Sequence, residues 1–242
     1  AIAPTQGLVV VVGATGSGKS TLLSANIRSL LEGEDSHKIL TYEAPIEFVY
    51  DEVLWRNSVI SQTEVPRQLP SFERGVRNAL RRKPSIILVG ESRDKETVRA
   101  SVEASMTGHL VYTTVHANGV AETVKRLVNV FEPGERHAMA YDIIESMRMI
   151  VAQRLVRSAD GKRVALREYL EFDQGLRERL LEMPIERAIT EIRSVLKEKK
   201  QTMVDAADRA HAAGKLDDSE HRKIVIGLTG ARERDEAEEA GR

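Results

Sequence analysis

The apolar positions of the chain fall into short continuous runs separated by helix-like patterns. Leu8–Val12 and Ile86–Val89 contain only valine, isoleucine and leucine, and His109–His116 contains a third apolar run. Runs of this length, rich in β-branched residues, are typical of strands buried on both faces of a parallel sheet. Lys38–Tyr42 is a shorter run of the same kind. Because helical patterns lie between these runs, the sequence predicts an α/β, doubly wound fold with a mainly parallel sheet.

Helical periodicity follows the first run, where one apolar face is formed by Leu23, Ile27, Leu30 and Leu31. Ser71 and Asp94 are expected to cap two further helices at their N-termini, and Asn118 and Gly119 to open another. The segment Ala138–Leu155 also fits a helix, with apolar positions at Met139, Ile143, Met147, Ile150 and Val151. An Asp160-Gly161 turn then joins two strand-like segments in a hairpin.

The chain becomes helical throughout after Leu170. One apolar stripe is formed by Ile185, Ala188, Ile189, Ile192 and Leu196, a second helix covers Thr202–Ala213, and a third is expected near Asp217. Residues 231–242 are almost all charged or small, a composition typical of disorder. We therefore expect a core over residues 1–170, a helical C-terminal subdomain over 171–230 and a disordered charged tail over 231–242.

A glycine-rich loop, Gly13-Ala14-Thr15-Gly16-Ser17-Gly18-Lys19-Ser20, lies between the first strand and its helix and fits G-x-x-x-x-G-K-[ST]. Strand, loop and helix follow in the order that a phosphate-binding loop requires. The glycines let successive backbone N–H groups point at a polyphosphate, and the helix N-terminus adds partial positive charge. Lys19 is expected to reach the β- and γ-phosphates, and the Ser20 hydroxyl to bind Mg²⁺. The alternative is a glycine-rich turn that matches by chance.

Two glutamates, Glu43 and Glu47, flank Pro45 at the end of the second strand-like run. In doubly wound sheets, ligands bind at the carboxyl ends of the strands. One of these carboxylates could therefore lie beside a γ-phosphate and orient or deprotonate water. Without the phosphate-binding loop, a solvated turn would be the simpler interpretation.

A second acidic position, Glu91, follows the apolar run Ile86–Val89 and has the form of a Walker B element. Such an acid acts on Mg²⁺ through its water or on the attacking water, although an apolar strand followed by an acid is also common elsewhere. His109 and His116 bracket the next strand. We interpret them as sensors of a bound phosphate, with ordinary hydrogen-bonded histidines as the alternative.

Composition narrows the choice of function. The chain has 242 residues, a net charge of -1 and no cysteine, which excludes disulfides, cysteine-ligated zinc and thiol nucleophiles. No global basic field attracts nucleic acid, so no direct nucleic-acid binding is expected. No apolar stretch approaches the length of a membrane span and no signal pattern opens the chain, which favours a soluble, cytoplasmic protein. Trp55 is interpreted as a packing residue.

Four segments resemble, in order, the Walker A, Asp box, Walker B and His box of the secretion ATPase superfamily of type II and type IV systems: Gly13–Ser20, Glu43–Glu47, Ile86–Asp94 and Gly108–His116. Two others, Thr41–Tyr50 and Gly161–Leu170, are most similar to the DotB and TraJ branch of type IVB secretion and conjugation. The chain starts at Ala1 without methionine, so we expect a fragment or a processed protein. The family's N-terminal domain, the source of arginine fingers between subunits, is expected to be missing from it.

The resemblance implies a RecA-like P-loop NTPase core that hydrolyses ATP with Mg²⁺. It further implies a homohexamer that works with secretion or conjugation apparatus proteins, peripherally at the cytoplasmic face of the inner membrane. By motif position, Glu47 is the general base, Glu91 is the Walker B acid on the Mg²⁺ side, and His109 and His116 are the His-box pair. Thr21 joins Lys19 and Ser20 among the phosphate and metal contacts.

Other functions stay open beside a ring-forming motor ATPase for type IVB-like secretion or conjugation. One is an ATP-binding assembly subunit with little turnover, and another is a PilT-like pilus retraction ATPase. A kinase would share the phosphate-binding loop, but it would need an acceptor pocket and an arginine-bearing lid late in the chain. The sequence indicates neither of these features.

Overall fold

The computed structural model of this chain describes residues 4–53 and 57–228. Within them, the strands form one sheet with the spatial order β3-β2-β4-β5-β1-β6-β7. Neighbouring strands are parallel except for the antiparallel pair β6 and β7. The strands are β1 (Gly7–Val12), β2 (Lys38–Glu43), β3 (Val59–Glu64), β4 (Ile86–Val89), β5 (Leu110–Val115), β6 (Met147–Arg157) and β7 (Arg163–Glu171). The predicted α/β fold with a mainly parallel sheet is confirmed.

Some helices connect consecutive strands, and the others come after the last strand in the sequence. They are α1 (Lys19–Glu32), α2 (Phe72–Ala79), α3 (Lys95–Met106), α4 (Val120–Asn129), α5 (Pro133–Ser146), α6 (Gln174–Leu181), α7 (Ile185–Glu198) and α8 (Met203–Ala212), with a 3-10 turn at Leu80–Arg82 and further helical residues at 218–228. Ser71 and Asp94 cap α2 and α3 as predicted, by accepting backbone N–H bonds from Arg74 and Thr97. Gly119 is the N-cap of α4.

The sheet is buried on both faces, which explains why its strands read as continuous apolar runs. In β1, Val9 and Val11 pack with the buried side of α1, while Val10 and Val12 belong to the larger cluster on the opposite face. That larger cluster extends to Ile192 on α7 and to α8. Helices on both faces therefore hold β1 at the centre of the fold.

The carboxyl ends of the central strands meet at one edge of the sheet. Val12 pairs with Val115, and Val89 pairs with Thr113 on one side and Tyr42 on the other. In a parallel sheet, this register brings the segments after these strands together. The loop Gly13–Gly18, the turn Glu43–Glu47, Gly90-Glu91 and His116 consequently share one edge.

The helix predicted over Ala138–Leu155 is wrong in its second half. Helix α5 ends at Ser146, and Met147 begins β6, which runs parallel to β1. A strand buried on both faces lacks a clear two-residue alternation, so its apolar positions can imitate a helical stripe. Pairing with β1 and β7 outweighs that local periodicity. Strand β3 lies in a polar stretch for which the sequence indicated no element.

The C-terminal helices pack against the sheet instead of standing apart from it. Leu166 and Leu170 of β7 belong to the same hydrophobic cluster as Ile192 of α7 and Ala207 of α8. The boundary near residue 170 stays a prediction. Trp55 and the tail 231–242 lie outside the described residues. Across the described part of the chain, no helix combines the length and apolar character needed to cross a bilayer.

Candidate nucleotide-binding site

The loop between β1 and α1 has the backbone shape that its glycines predict. Gly13 and Gly18 have φ angles of 149° and 83°. A Cβ atom at Gly13 would lie 2.4 Å from the backbone oxygen of Gln153, and one at Gly18 would lie 2.9 Å from the Gln153 side-chain nitrogen. Any larger residue would push the loop away from β6, because backbone and buried amide atoms leave no room. The loop is therefore fixed both by its own conformation and by the strand behind it.

Lys19 folds back onto this loop. Its Nζ donates hydrogen bonds to the carbonyl oxygens of Gly13 at 2.9 Å and Ala14 at 3.0 Å. Burial lowers the pKa of Lys19, and the negative charges of Glu91 and Glu47 oppose that shift. A partly dehydrated ammonium interacts more strongly with an anion than a solvated one does, because the effective dielectric is lower. The Lys19 side chain is therefore well placed to hold phosphate.

Ser20, in the first turn of α1, faces the acidic turn after β2. Its Oγ donates to Glu47 Oε1 at 3.0 Å. Glu43 has different partners, because its Oε1 accepts from Thr41 Oγ1 at 2.6 Å and from Gln62 Nε2 at 3.1 Å. Of the two glutamates in the turn, Glu43 is thus tied to the sheet, and Glu47 is directed at the phosphate-binding loop.

Glu91 and His116 lie side by side, just after the carboxyl ends of the neighbouring strands β4 and β5. His116 Nε2 lies 3.5 Å from Glu91 Oε1, and the Arg93 guanidinium lies 4.0 Å from Glu91 Oε2. The backbone beside Glu91 is held firmly, since Thr114 Oγ1 donates to the Gly90 carbonyl oxygen at 2.6 Å. Glu91 therefore has a fixed position with a histidine beside it.

An open cleft of about 420 Å³ separates these groups, a size typical of small-molecule sites. The residues that line it include Thr15, Gly16, Lys19, Ser20, Glu43, Glu47, Glu91, Thr114 and His116. Of the other predicted contacts, Gly13 and Ala14 are the carbonyl partners of Lys19, Ser17 and Gly18 complete the loop, and Thr21 is exposed on α1. The structure thus brings most of the predicted residues to one place.

His109 is the exception among the predicted site residues. It precedes β5, and its Nδ1 lies 3.1 Å from the carbonyl oxygen of Ala104 at the end of α3. His116 follows the other end of this six-residue strand. At a rise of about 3.3 Å per residue, the two ends are about 20 Å apart. His109 therefore lies at the opposite edge of the sheet and, within one chain, cannot act with His116 on the same phosphate.

Gln153 is a residue of the site that sequence reasoning missed. From β6, its buried side-chain Nε2 donates to the Ser17 carbonyl oxygen at 2.8 Å. Its Oε1 accepts from Arg167 Nε at 2.7 Å. No local signal marks Gln153, because 136 residues separate it from Ser17 and its segment fits a helical pattern. Only the pairing of β6 with β1 brings it to the loop.

The donor set fits a magnesium nucleotide. The Ser17 Oγ is buried in the loop and has no hydrogen-bond partner among the described residues. The Ser20 hydroxyl and the Glu91 carboxylate are hard oxygen groups of the kind that Mg²⁺ prefers. Among the residues described, no cluster of three or more His, Cys, Asp and Glu could hold a metal by itself. Mg²⁺ is commonly held by one or two protein groups together with substrate phosphates.

Comparison with known proteins places the chain in a family. Residues 1–238 match the family described as type II/IV secretion system protein. This chain belongs to the type II/IV secretion system protein family. Among curated relatives in this family, it is 44% identical over 166 residues to the type IV pilus retraction ATPase PilT of Pseudomonas aeruginosa. That match covers 68% of this chain and 47% of the relative.

Solved structures of secretion-family proteins show the same fold. The Legionella pneumophila ATPase DotB is 50% identical with a TM-score of 0.91, over 93% of this chain and 62% of that chain. The pilus retraction motor PilT, solved with bound ADP, is 31% identical with a TM-score of 0.81, over 91% and 62% of the two chains. The chain spans about half the length of curated relatives such as PilT, which is covered to 47%. It is thus a member of a family of secretion and pilus ATPases.

Proposed function

We propose that this chain is the ATP-hydrolysing part of a ring-shaped motor that drives type IVB-like secretion or conjugative transfer. The observation that carries the proposal is the convergence of three features at one sheet edge: the partly buried Lys19 ammonium, the Ser20–Glu47 hydrogen bond and the Glu91–His116 pair. Likeness to DotB at 50% identity supports the type IVB assignment. Each site residue then has a distinct task.

Lys19 would leave its bonds to the Gly13 and Ala14 carbonyl oxygens and hold the β- and γ-phosphates of ATP. Ser20 and Glu91 would hold the magnesium ion, which neutralises phosphate charge when it is bound. Loop N–H groups and the start of α1, with Thr21, would complete the phosphate contacts.

Glu47 is the proposed general base. Its Oε1 lies 3.0 Å from Ser20 Oγ and therefore at the phosphate side of the cleft. A carboxylate there can orient a water molecule and accept its proton as the water attacks the γ-phosphate. His116, beside Glu91, would donate a hydrogen bond to the terminal phosphate and so report whether it is present. ATP and water would yield ADP and phosphate.

Assembly and location are further parts of the proposal. We place the chain in a homohexamer in which arginines from the rest of the protein reach a neighbour's phosphates, since charge at the transferring phosphate is the main obstacle to hydrolysis. The ring would lie at the cytoplasmic face of the inner membrane and dock on secretion or conjugation apparatus proteins.

Two alternatives have specific support. Identity of 44% to PilT of Pseudomonas aeruginosa supports a pilus retraction ATPase. The open cleft supports an ATP-binding assembly subunit with little turnover, because water exclusion contributes to catalysis and the described residues leave this cleft open to solvent.

A gene replacement in the host would test the proposed role. The full-length protein carrying Glu47→Gln should abolish effector translocation or plasmid transfer while surface motility persists, because the ring assembles but does not turn over. Glu52→Gln, at an exposed position nearby, is the matched control. Loss of motility alone would identify a retraction motor, and unchanged transfer and motility would reject the motor role.

A further inference from the structure

We propose that Gln153 and Arg167 form a positioning relay that aims the phosphate-binding loop at the β-phosphate of the nucleotide. This inference rests on the proposed nucleotide binding and adds two residues to which the sequence analysis assigned no role. Gln153 is on β6 and only 3% exposed, and Arg167 lies directly opposite it on β7. The two side chains therefore belong to the hairpin behind the loop, not to the loop itself.

The first step of the relay is the hydrogen bond from Gln153 Nε2 to the Ser17 carbonyl oxygen, at 2.8 Å. The Ser17–Gly18 peptide unit is planar and trans, so its carbonyl and its N–H point in opposite directions. When Gln153 holds the Ser17 oxygen towards β6, the Gly18 N–H is turned away from β6. In a glycine-rich loop, N–H groups that point inward are the ones that bind phosphate.

Close packing fixes the same peptide. A Cβ atom at Gly18 would lie 2.9 Å from Gln153 Nε2, and one at Gly13 would lie 2.4 Å from the Gln153 backbone oxygen. Both glycines thus rest directly on this residue. The loop cannot rotate the Ser17–Gly18 peptide without losing the contact with Gln153.

Arg167 supplies the second step. Its Nε donates to Gln153 Oε1 at 2.7 Å, a distance typical of a charge-assisted hydrogen bond. A cation at one end of an amide polarises it, which makes the amide N–H a stronger donor. Arg167, Gln153 and the Ser17–Gly18 peptide consequently align their dipoles in one direction, with the positive end at the phosphate. Arg167 influences the nucleotide through Gln153 and needs no contact of its own.

The relay makes a prediction that simple packing does not make. If Gln153 only filled space, its replacement would weaken all nucleotides alike or would only lower stability. If Gln153 orients the Gly18 N–H, its replacement should lower the affinity for ligands that carry a β-phosphate. AMP, which lacks that phosphate, is the internal control.

The test measures binding of ADP and AMP to the purified chain by calorimetric titration. Gln153→Met keeps the length of the side chain and removes both hydrogen bonds, and it should weaken ADP about 10-fold or more while AMP changes less than about 2-fold. Arg167→Met, at an exposed position where we expect folding to be retained, should weaken ADP about 3-fold. Arg167→Lys should restore part of that loss, because it keeps the charge.

Two controls separate the possible outcomes. Gln174→Met changes an exposed glutamine on α6 that pairs with Glu178, and it should leave both affinities unchanged. Lys19→Ala, made in the otherwise wild-type chain, should abolish ADP binding. If the wild type binds no nucleotide, the proposed function fails and this inference fails with it. If the wild type binds ADP but the Gln153 and Arg167 variants match it, or lose ADP and AMP equally, only the relay is overturned.

Discussion

At the scale of single residues, the site contains more negative than positive charge. Lys19 is faced by Glu47 and Glu91, whose charges act on its pKa. A triphosphate adds several more negative charges, which Lys19 and Arg93 together cannot neutralise. A divalent cation is therefore an electrostatic requirement of the proposed site, and Ser20 is the residue that connects it to Glu47.

Ser20→Ala tests this requirement. The change removes the hydroxyl that donates to Glu47 and is proposed to bind magnesium, so the Mg²⁺ concentration for half-maximal ATP hydrolysis should rise about 10-fold. Titration of the hydrolysis rate with Mg²⁺ measures this. Ser29→Ala, at an exposed position farther along α1 and outside the cleft lining, should match the wild type. An unchanged Mg²⁺ dependence in Ser20→Ala would remove Ser20 from the metal site.

Substitutions of the two histidines that flank β5 should differ in their effects on kcat. His116→Asn should lower kcat about 10-fold or more, because it removes the donor beside Glu91. His109→Asn should leave kcat within about 2-fold, since its ring contacts the end of α3 at the other edge. Steady-state kinetics of the two variants checks this. A loss of kcat in His109→Asn equal to that in His116→Asn would contradict the separation.

At the scale of elements, one buried glutamate joins two helices to the sheet. Glu168 Oε1 accepts the Val120 N–H at 2.8 Å, and its Oε2 accepts the Met203 N–H at 3.1 Å. These are the first residues of α4 and α8. A carboxylate at two helix N-termini is stabilised by both helix dipoles. Because α4 begins just after His116, Glu168 connects the C-terminal helices to the nucleotide site.

Glu168→Gln should lower the free energy of unfolding by about 2 kcal/mol, because one of the two helix N-termini would then face an amide NH₂ in place of an acceptor. Urea denaturation followed by circular dichroism measures the change. Glu171→Gln, an exposed position on the same strand, should have an effect within about 0.5 kcal/mol. Equal stability of the two variants would show that Glu168 does not hold the helices.

At the scale of the whole molecule, the sheet explains which parts of the site could be predicted. The loop Gly13–Ser20 is a local motif between a strand and a helix, so the sequence was sufficient to predict its position in the fold. Glu47, Glu91 and His116 could be placed because parallel strands bring their carboxyl ends to one edge. Each of these residues follows a strand closely, so predicting that strand is enough to predict where the residue lies.

Other features depend on pairings that no local pattern contains. Strand β6 fits a helical stripe until its neighbours β1 and β7 are known, and Gln153 becomes part of the site only through that pairing. His109 was grouped with His116 because both flank β5, although a strand separates its two ends. This chain spans about half the length of relatives such as PilT, covered to 47%, so assembly into a ring stays part of the proposal.

The most direct test of the account is the rate of ATP hydrolysis per subunit of the full-length protein, measured with Mg²⁺ across a range of protein concentrations. We predict a rate that rises with concentration, because in the proposed ring neighbouring subunits complete the site, and that falls at least 100-fold in Glu47→Gln while nucleotide binding persists. A Glu47→Gln variant that hydrolyses ATP like the wild type, or a wild type that binds ATP but stays at background at every concentration, would contradict it.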